Sequence, residues 1–85
     1  MNNLWIVTFQ SITYAQKAQR ALKEQYIDSG LQRTPIGLSS RGCSYCLQLR
    51  EKHIMDAVAL LQEKGLLAGK VFARKRDGRW EERAL

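Results

Sequence analysis

The chain has 85 residues, 45% of them hydrophobic, and a net charge of +6 at neutral pH. This length predicts one domain with a single small core, which buries only about 60–65% of the surface that the unfolded chain exposes. No apolar run approaches the roughly 18 residues that a membrane span requires, and the N-terminus shows no secretory signal. We therefore expect a cytoplasmic protein that does not enter a membrane, with its cysteines reduced.

The first half of the chain predicts a strand, a helix and a short edge strand. Residues 4–9, LWIVTF, are apolar at nearly every position, which is typical of a central strand. Thr13 and Gln16 have capping-box spacing, and Ser11 is a second candidate cap. Small or apolar side chains then recur at helical intervals, at Ala15, Ala18, Ala21, Leu22 and Tyr26. Gly30 is expected to be the left-handed residue that follows this helix.

The second half repeats this alternation of strands and helices. Residues 31–34 are predicted to form a short strand that Pro35 ends, because proline lacks the hydrogen-bond donor of a strand. After a loop to about Ser44, large apolar side chains occupy every second position of residues 45–50, at Tyr45, Leu47 and Leu49. This alternation predicts a half-buried strand. A second helix follows, with apolar positions Ile54, Ala57, Val58 and Leu61, no evident N-cap near Lys52, and an end at Gly65.

The last predicted elements are a strand over residues 70–74 and a turn at Asp77-Gly78, followed by either a short extra strand or a tail. The order β-α-β-β-α-β predicts an α+β, ferredoxin-like fold, with a four-stranded antiparallel sheet and two helices on one face. We assign residues 1–76 to this domain and residues 77–85 to a basic C-terminal turn and tail.

The sheet face without helices is expected to be apolar. Trp5 or its neighbours, and Phe72 or its neighbours, must point toward it. An apolar open face on so small a protein favours a homodimer as readily as a ligand site.

Both cysteines, Cys43 and Cys46, lie in the stretch TPIGLSSRGCSYCLQL, residues 34–49, with C-x-x-C spacing. A structural zinc site requires four ligands, whereas two cysteines and His53 supply three at most, so we predict no metal site within one chain. A thioredoxin-like pair opens a helix whose positive end stabilises the thiolate, whereas this pair leads into a strand. Alternatively, Cys46 is a small hydrophobe of the strand and Cys43 an ordinary loop thiol.

A fourth interpretation is a reactive thiol that carries an atom of the sulfur family. Cys43 suits the nucleophile, since Arg41 and the nearby Arg33 supply positive charge that lowers a thiol pKa. Cys46, three residues later, suits a resolving thiol that attacks the carried adduct and releases the atom. Backbone N–H groups of a Ser/Gly loop form anion-binding concavities. The predicted ligand-binding residues are therefore Ser39, Ser40, Arg41 and Gly42.

The sequence resembles a family of small bacterial proteins, the selenium/sulfur (Se/S) carrier-like proteins, over about residues 4–74. The resemblance rests on the opening LWIVTFQSITYAQKAQRALKE, on the helix IMDAVALLQEKGL, and on Pro35, Leu38, Ser39, Cys43, Cys46 and Leu47. One extra residue between Ser39 and Cys43, and Ser44 in place of a glycine, depart from the family pattern. The resemblance implies a carrier or accessory protein rather than an enzyme. It would have no resident cofactor, would hold selenium or sulfur covalently on Cys43 with Cys46 as helper, and would serve a selenium- or sulfur-transfer enzyme.

The same fold order also occurs in RNA-recognition domains, which stack bases on aromatic side chains of the open face. Trp5 and Tyr45 are the candidates for such stacking, and the basic charge fits a nucleic-acid partner. However, placing Tyr45 on the open face would bury the Gln48 amide under the helices, at a cost of about 1–3 kcal/mol if unpaired. We therefore expect Tyr45, Leu47 and Leu49 to point inward, and keep an RNA-binding module or a small dimerisation domain with a redox or metal loop as alternatives.

Overall fold

The computed structural model describes residues 4–35, 37–38, 45–67 and 69–83. Within these ranges the chain forms five strands and two helices. They are β1 (Leu4–Phe9), α1 (Ile12–Glu24), β2 (Gly30–Arg33), β3 (Tyr45–Arg50), α2 (Glu51–Glu63), β4 (Val71–Arg74) and β5 (Trp80–Arg83). The first six elements follow the predicted β-α-β-β-α-β order.

The strands of the described chain form one sheet in the order β2-β3-β1-β4-β5, and every neighbouring pair is antiparallel. The α+β class is therefore confirmed, but the predicted four-stranded sheet is wrong, because residues Trp80–Arg83 pair with β4 as a fifth strand. A tight reversal connects the two strands: the Gly78 N–H donates to the Lys75 carbonyl (2.9 Å), with Gly78 at φ 86°. The Asp77 carboxylate accepts hydrogen bonds from the Arg79 backbone (2.9 Å) and guanidinium (2.8 Å).

The main core lies between the two helices and one face of the sheet. Alternate residues of β1 point into it, at Trp5, Val7 and Phe9, while α1 and α2 contribute apolar stripes. From β3, Leu47 and Leu49 are buried in this core and Tyr45 packs against it half-buried, as the alternation of residues 45–50 predicts. Each strand therefore has a fixed helix-facing side, and the residues between these positions belong to the opposite face.

The opposite sheet face carries a second apolar cluster, formed by Ile6, Cys46 and Phe72. We call it the open-face cluster. The prediction for this face is met by Ile6, the neighbour of Trp5, and by Phe72 itself. All three side chains are nonetheless buried within the single chain, and Leu38 and Trp80 pack against them. The homodimer through this face stays a prediction, since these side chains do not need a second copy to bury them.

Helix α1 begins at one of the two N-caps predicted from the sequence, but it ends at a residue other than the predicted one. Ser11 is its N-cap, and its hydroxyl accepts a hydrogen bond from the Tyr14 N–H (3.3 Å). The left-handed residue after the helix is Tyr26 (φ 61°), so the prediction of Gly30 for this position is wrong. Helix α2 begins after Arg50, which makes no side-chain capping bond, and ends before Gly65 (φ 69°), as predicted.

Both helices end in the same hydrogen-bonded motif, which joins the last turn to the two residues beyond the cap. The bonds are Tyr26 N–H to Lys23 O (2.9 Å) and Ile27 N–H to Leu22 O (2.9 Å) for α1, and Gly65 N–H to Gln62 O (3.1 Å) and Leu66 N–H to Leu61 O (2.8 Å) for α2. The central position of the motif holds glycine in α2 but a 92% exposed tyrosine in α1. An L-residue in this conformation is strained, and glycine is not.

We expect Tyr26→Gly to raise the free energy of unfolding by about 0.5–1 kcal/mol, because it relieves this strain and removes a side chain with few contacts. The reverse change at the matching position, Gly65→Ala, should lower it by a similar amount. Urea denaturation of the three proteins measures both effects. A lower stability for the Tyr26→Gly variant would show that the tyrosine side chain contributes more than its conformation costs.

The end of β1 is joined to the segment before β4 by three hydrogen bonds. Thr8 donates to the Lys70 carbonyl from its N–H (2.9 Å) and its hydroxyl (3.3 Å), and that hydroxyl accepts from the Lys70 N–H (2.8 Å). Gly69 lies against the Thr8 backbone so closely that a Cβ at this position would overlap the Thr8 carbonyl. This close approach, and not a left-handed conformation, requires glycine at residue 69.

Candidate functional site

Five of the six predicted site residues lie outside the residues that the structure describes. They are Ser39, Ser40, Arg41, Gly42 and Cys43. The described chain on either side of them ends at Leu38 and resumes at Tyr45, the first residue of β3. The sixth predicted residue, Cys46, is the second residue of β3. Its surroundings and the turn at Leu38 define the part of the site that the structure describes.

A tight turn follows β2. The Leu38 N–H donates to the Pro35 carbonyl (3.1 Å), and Gly37 adopts φ 92°, which glycine reaches without strain. The turn ends with Leu38 packed against the open-face cluster, which contains Cys46. The chain before residues 39–44 and the chain after them therefore meet the same sheet face.

Cys46 lies between the strands on either side of β3, opposite Thr8 of β1 and Gln32 of β2. Its side chain has no exposed surface, and its thiol donates a weak hydrogen bond to the Arg33 carbonyl, with a sulfur–oxygen distance of 3.8 Å. The cluster around it is apolar, with Ile6 and Phe72 as its other buried members. Cys46 is thus packed as a small hydrophobic side chain in this structure.

Burial raises the pKa of the Cys46 thiol, because it disfavours the thiolate. The Gln32 and Thr34 side chains act in the opposite direction and lower this pKa by less. Among the described residues the Thr34 hydroxyl is buried without a hydrogen-bond partner, so it is free to donate to the sulfur when the thiolate forms. Cys46 is therefore a neutral thiol near pH 7, with a hydroxyl nearby that favours ionisation.

We expect Thr34→Val to raise the Cys46 pKa further, because the change keeps the side-chain shape and removes the donor. Thiolate absorbance against pH in a Cys43→Ala protein measures this shift. An unchanged titration midpoint in the valine variant would show that the hydroxyl does not act on Cys46.

The raised pKa of Cys46 also makes the free energy of unfolding depend on pH. Because the pKa in the folded state lies above that in the unfolded state, protonation of Cys46 contributes stability below about pH 8.5, and this contribution is lost as the pH rises through the folded pKa.

The aromatic residues required by the RNA-binding alternative are not on the open face. Trp5 belongs to the helix-side core and Tyr45 packs against it. The Arg33 guanidinium lies 5.7 Å from the centroid of the Tyr45 ring, so this cation is held beside the first residue of β3. The surface that would stack bases in an RNA-recognition domain therefore has neither of the two predicted platforms.

The described ranges contain neither a metal-binding cluster nor a membrane-spanning helix. No group of three or more His, Cys, Asp or Glu side chains is arranged there to hold a metal ion. The two helices have 13 residues each, and no helix in the described chain is long and apolar enough to cross a membrane.

Sequence reasoning missed the residues that surround the Cys46 sulfur. The alternation in β3 already indicates that Cys46 and Leu47 face opposite sides of the sheet. Nothing local in the sequence indicates that Leu38 turns back onto the open face, or that Thr34 and Gln32 approach the thiol. Pro35 and Gly37 signal a turn but do not give its direction.

Comparison with known proteins finds one family. The family model described as "Putative Se/S carrier protein-like" matches residues 4–73, a range that runs from β1 into β4 and includes both cysteines. No curated protein and no solved structure matches the chain.

Proposed function

Because the chain belongs to the Se/S carrier-like family, we propose that it holds one selenium or sulfur atom covalently on a cysteine and delivers it to a transfer enzyme. The single observation that carries this proposal is the family match over residues 4–73. The structure adds an α+β scaffold whose element order and the β2-β3-β1-β4 part of its sheet are those of a ferredoxin-like domain.

We assign the carrier role to Cys43. A carrier thiol must be reached by two partner proteins and must ionise near neutral pH, since the thiolate is the nucleophile. Cys46 meets neither condition in the described geometry, because it is buried and its pKa is raised. Cys43 lies outside the described residues, and its assignment rests on this contrast and on the neighbouring Arg41 and Gly42 in the sequence.

Loading is an exchange of a sulfane-type atom between two thiols. The Cys43 thiolate attacks the outer atom X (sulfur or selenium) of a donor R–S–X⁻, a new Sγ–X bond forms, and the donor leaves as R–S⁻. No net oxidation occurs, because X keeps its oxidation state. The product, Cys43 Sγ–X⁻, is an anion, which the positive charge of Arg41 and the backbone N–H groups of Ser39 to Gly42 would stabilise.

Release uses the second thiol. The Cys46 thiolate attacks Cys43 Sγ, an S–S bond forms, the Sγ–X bond breaks, and X departs with its electron pair as HX⁻ after taking up a proton. X is reduced while the two cysteines are oxidised to a disulfide, and a cellular thiol must then reduce the pair before the next cycle. This role predicts that the two cysteines are not interchangeable.

Intact mass spectrometry tests the proposal. Wild type, Cys43→Ala and Cys46→Ala are each incubated with inorganic polysulfide, or with selenite and glutathione, and freed of small molecules. We expect the wild type and the Cys46→Ala variant to gain the mass of one carried atom, alone or with the donor thiol attached. The Cys43→Ala variant should gain none, and the adduct should last longer without Cys46.

The same measurement distinguishes the proposal from unspecific thiol chemistry. Equal labelling of all three proteins, or labelling of the wild type only after denaturation, would contradict a carrier role for Cys43. Labelling that depends on Cys46 instead would reverse the assignment of the two thiols. Far-UV circular dichroism of each variant confirms that the comparison is made between folded proteins.

A further inference from the structure

The two outer strands of the described sheet, β2 and β5, differ in how their edges are protected. An edge strand presents unpaired N–H and C=O groups, and charged side chains on it discourage pairing with another chain. Three of the four residues of β5 are charged, and both of its glutamates form ion pairs with nearby lysine or arginine side chains. In β2 only Arg33 is charged, and three of the four residues are exposed. The edge of β2 is therefore the one more open to a further strand.

A groove with exposed positive charge lies beside β2, between helix α1 and the residues that lead into the strand. It has a volume of about 570 Å³ and is lined by Arg20 and Lys23 of α1 and by Asp28 and Ser29. The Gln19 side-chain amide donates a hydrogen bond to the Ser29 carbonyl (2.9 Å) and so ties α1 to this segment. Within the described chain neither Arg20 nor Lys23 forms an ion pair, and both side chains are exposed. An acidic partner can therefore contact both cations.

The spacing of the two cations matches the spacing of side chains along a strand. Arg20 and Lys23 are three residues apart on α1, which places their Cβ atoms about 5–6 Å from each other. Side chains on one face of a strand occupy every second residue and are about 7 Å apart. A strand added beside β2 can thus direct two successive side chains of its helix-facing side toward Arg20 and Lys23.

These charges favour an acidic polypeptide over a second copy of this chain and over a nucleic acid. Two β2 strands paired about a two-fold axis perpendicular to the sheet would place α1 next to its counterpart, and like charges across an interface oppose binding. The phosphates of a nucleic acid accept hydrogen bonds from cations but cannot donate to the C=O groups of a strand edge. A polypeptide strand supplies both donors and acceptors, and it can place a neutral side chain beside Asp28.

We propose that the edge of β2 binds an extended acidic segment of a partner protein, which adds to the five-stranded sheet as a further strand. The main chain of this segment pairs with β2, and its acidic side chains contact Arg20 and Lys23 from the helix side. Because successive side chains of a strand point to opposite faces, the segment carries acidic residues at every second position. The inference rests on the proposed function for the identity of the partner, which is then the enzyme that receives selenium or sulfur.

An NMR titration of the wild-type protein with a synthetic peptide of alternating Glu and Thr tests this inference. We expect the β2 amide signals to shift at millimolar peptide or below, and hydrogen exchange to slow at the alternate β2 amides that do not bond to β3. Binding should weaken as salt is added, because exposed charges are screened. No shift of the β2 amides at millimolar peptide would overturn the inference.

Altered peptides separate strand pairing from simple attraction of charge. In a strand, all Glu amides point to one edge and all Thr amides to the other. N-methylation of one of these two sets should therefore weaken binding at least about 10-fold, and N-methylation of the other set should change it little. An isomer with all its Glu residues in one block should also bind about 10-fold more weakly. Equal affinity for the block isomer would overturn the inference.

Protein variants test whether the two cations of the groove are the ones used. Replacing both Arg20 and Lys23 by alanine should weaken binding about 10-fold. The matched control, Lys64→Ala with Arg76→Ala, removes the same charge from exposed residues after α2 and between β4 and β5, and should change binding less than about 2-fold. Equal weakening by both pairs would overturn the inference.

Other occupants of the edge, and failure of the proposed function, give distinct results. Displacement of the peptide by a uridine oligonucleotide at lower concentration would assign the groove to nucleic acid, and concentration-dependent shifts of the β2 amides without peptide would assign the edge to a second copy. Either result would overturn the inference. If Cys43 is loaded but the peptide does not bind, the carrier role stands and the docking edge falls. If the peptide binds but no atom is loaded, the docking edge stands and the carrier role falls.

Discussion

Gly69→Ala is expected to lower the free energy of unfolding by about 3 kcal/mol or more, a large part of the total for a domain of this size. The added Cβ would overlap the Thr8 carbonyl, and the overlap involves backbone on both sides, so no side-chain rotation relieves it. Moving the two segments apart breaks hydrogen bonds between Thr8 and Lys70. Buried groups left without partners cost about 1–3 kcal/mol each. Urea denaturation followed by circular dichroism gives the value.

Gly30→Ala is the matched control for this prediction. It is the same substitution at an exposed residue of edge strand β2, where a Cβ would meet only the Gln48 side chain at ordinary contact distance, 3.8 Å. We expect a change within about 0.5 kcal/mol, because alanine adds no clash and restricts the unfolded chain slightly more than glycine does. If both variants lost the same stability, the effect at residue 69 would come from glycine replacement in general and not from the contact with Thr8.

Most of the fold could be predicted from the sequence because each element has a local signal. The alternation of residues 45–50 fixed which side chains of β3 face the helices, and the period of the two apolar stripes located α1 and α2. The errors occur where the signal is not local. Glycine at residue 30 is well suited to end a helix, yet α1 ends earlier in the chain. Ile27 packs in the core together with Leu22, and this packing fixes the helix-ending hydrogen-bonded motif around Tyr26.

The candidate site could be predicted only in part, for the same reason. Period-two alternation places Cys46 opposite the helix-facing residues, but burial on the open face depends on side chains distant in sequence. Trp80 is 34 residues from Cys46, and Leu38 reaches the same cluster through a turn whose direction the sequence does not give. The predicted ligand-binding residues, Ser39 to Gly42, and the predicted carrier thiol, Cys43, lie outside the described residues, and the mass-spectrometric experiment tests the role of Cys43.

Trp80→Ala is expected to lower the free energy of unfolding by about 2 kcal/mol, roughly half of what a fully buried tryptophan would cost. Trp80 is half-buried and packs on the open-face cluster beside Phe72, and the Arg74 guanidinium lies 5.9 Å from the centroid of its ring. Its removal exposes apolar surface and weakens the anchoring of β5 on β4. Urea denaturation measures the loss, and hydrogen exchange of the β4 amides should accelerate in parallel.

Two further variants decide whether packing on the cluster is the cause. Trp80→Phe keeps an aromatic ring and should recover most of the stability, whereas Met55→Ala, at a 65% exposed side chain of α2, should change it by less than about 0.5 kcal/mol. A Trp80→Ala protein as stable as the wild type would show that β5 is an accessory strand. A clear loss would show that a segment beyond the family match, which ends at residue 73, completes the open face on which Cys46 lies.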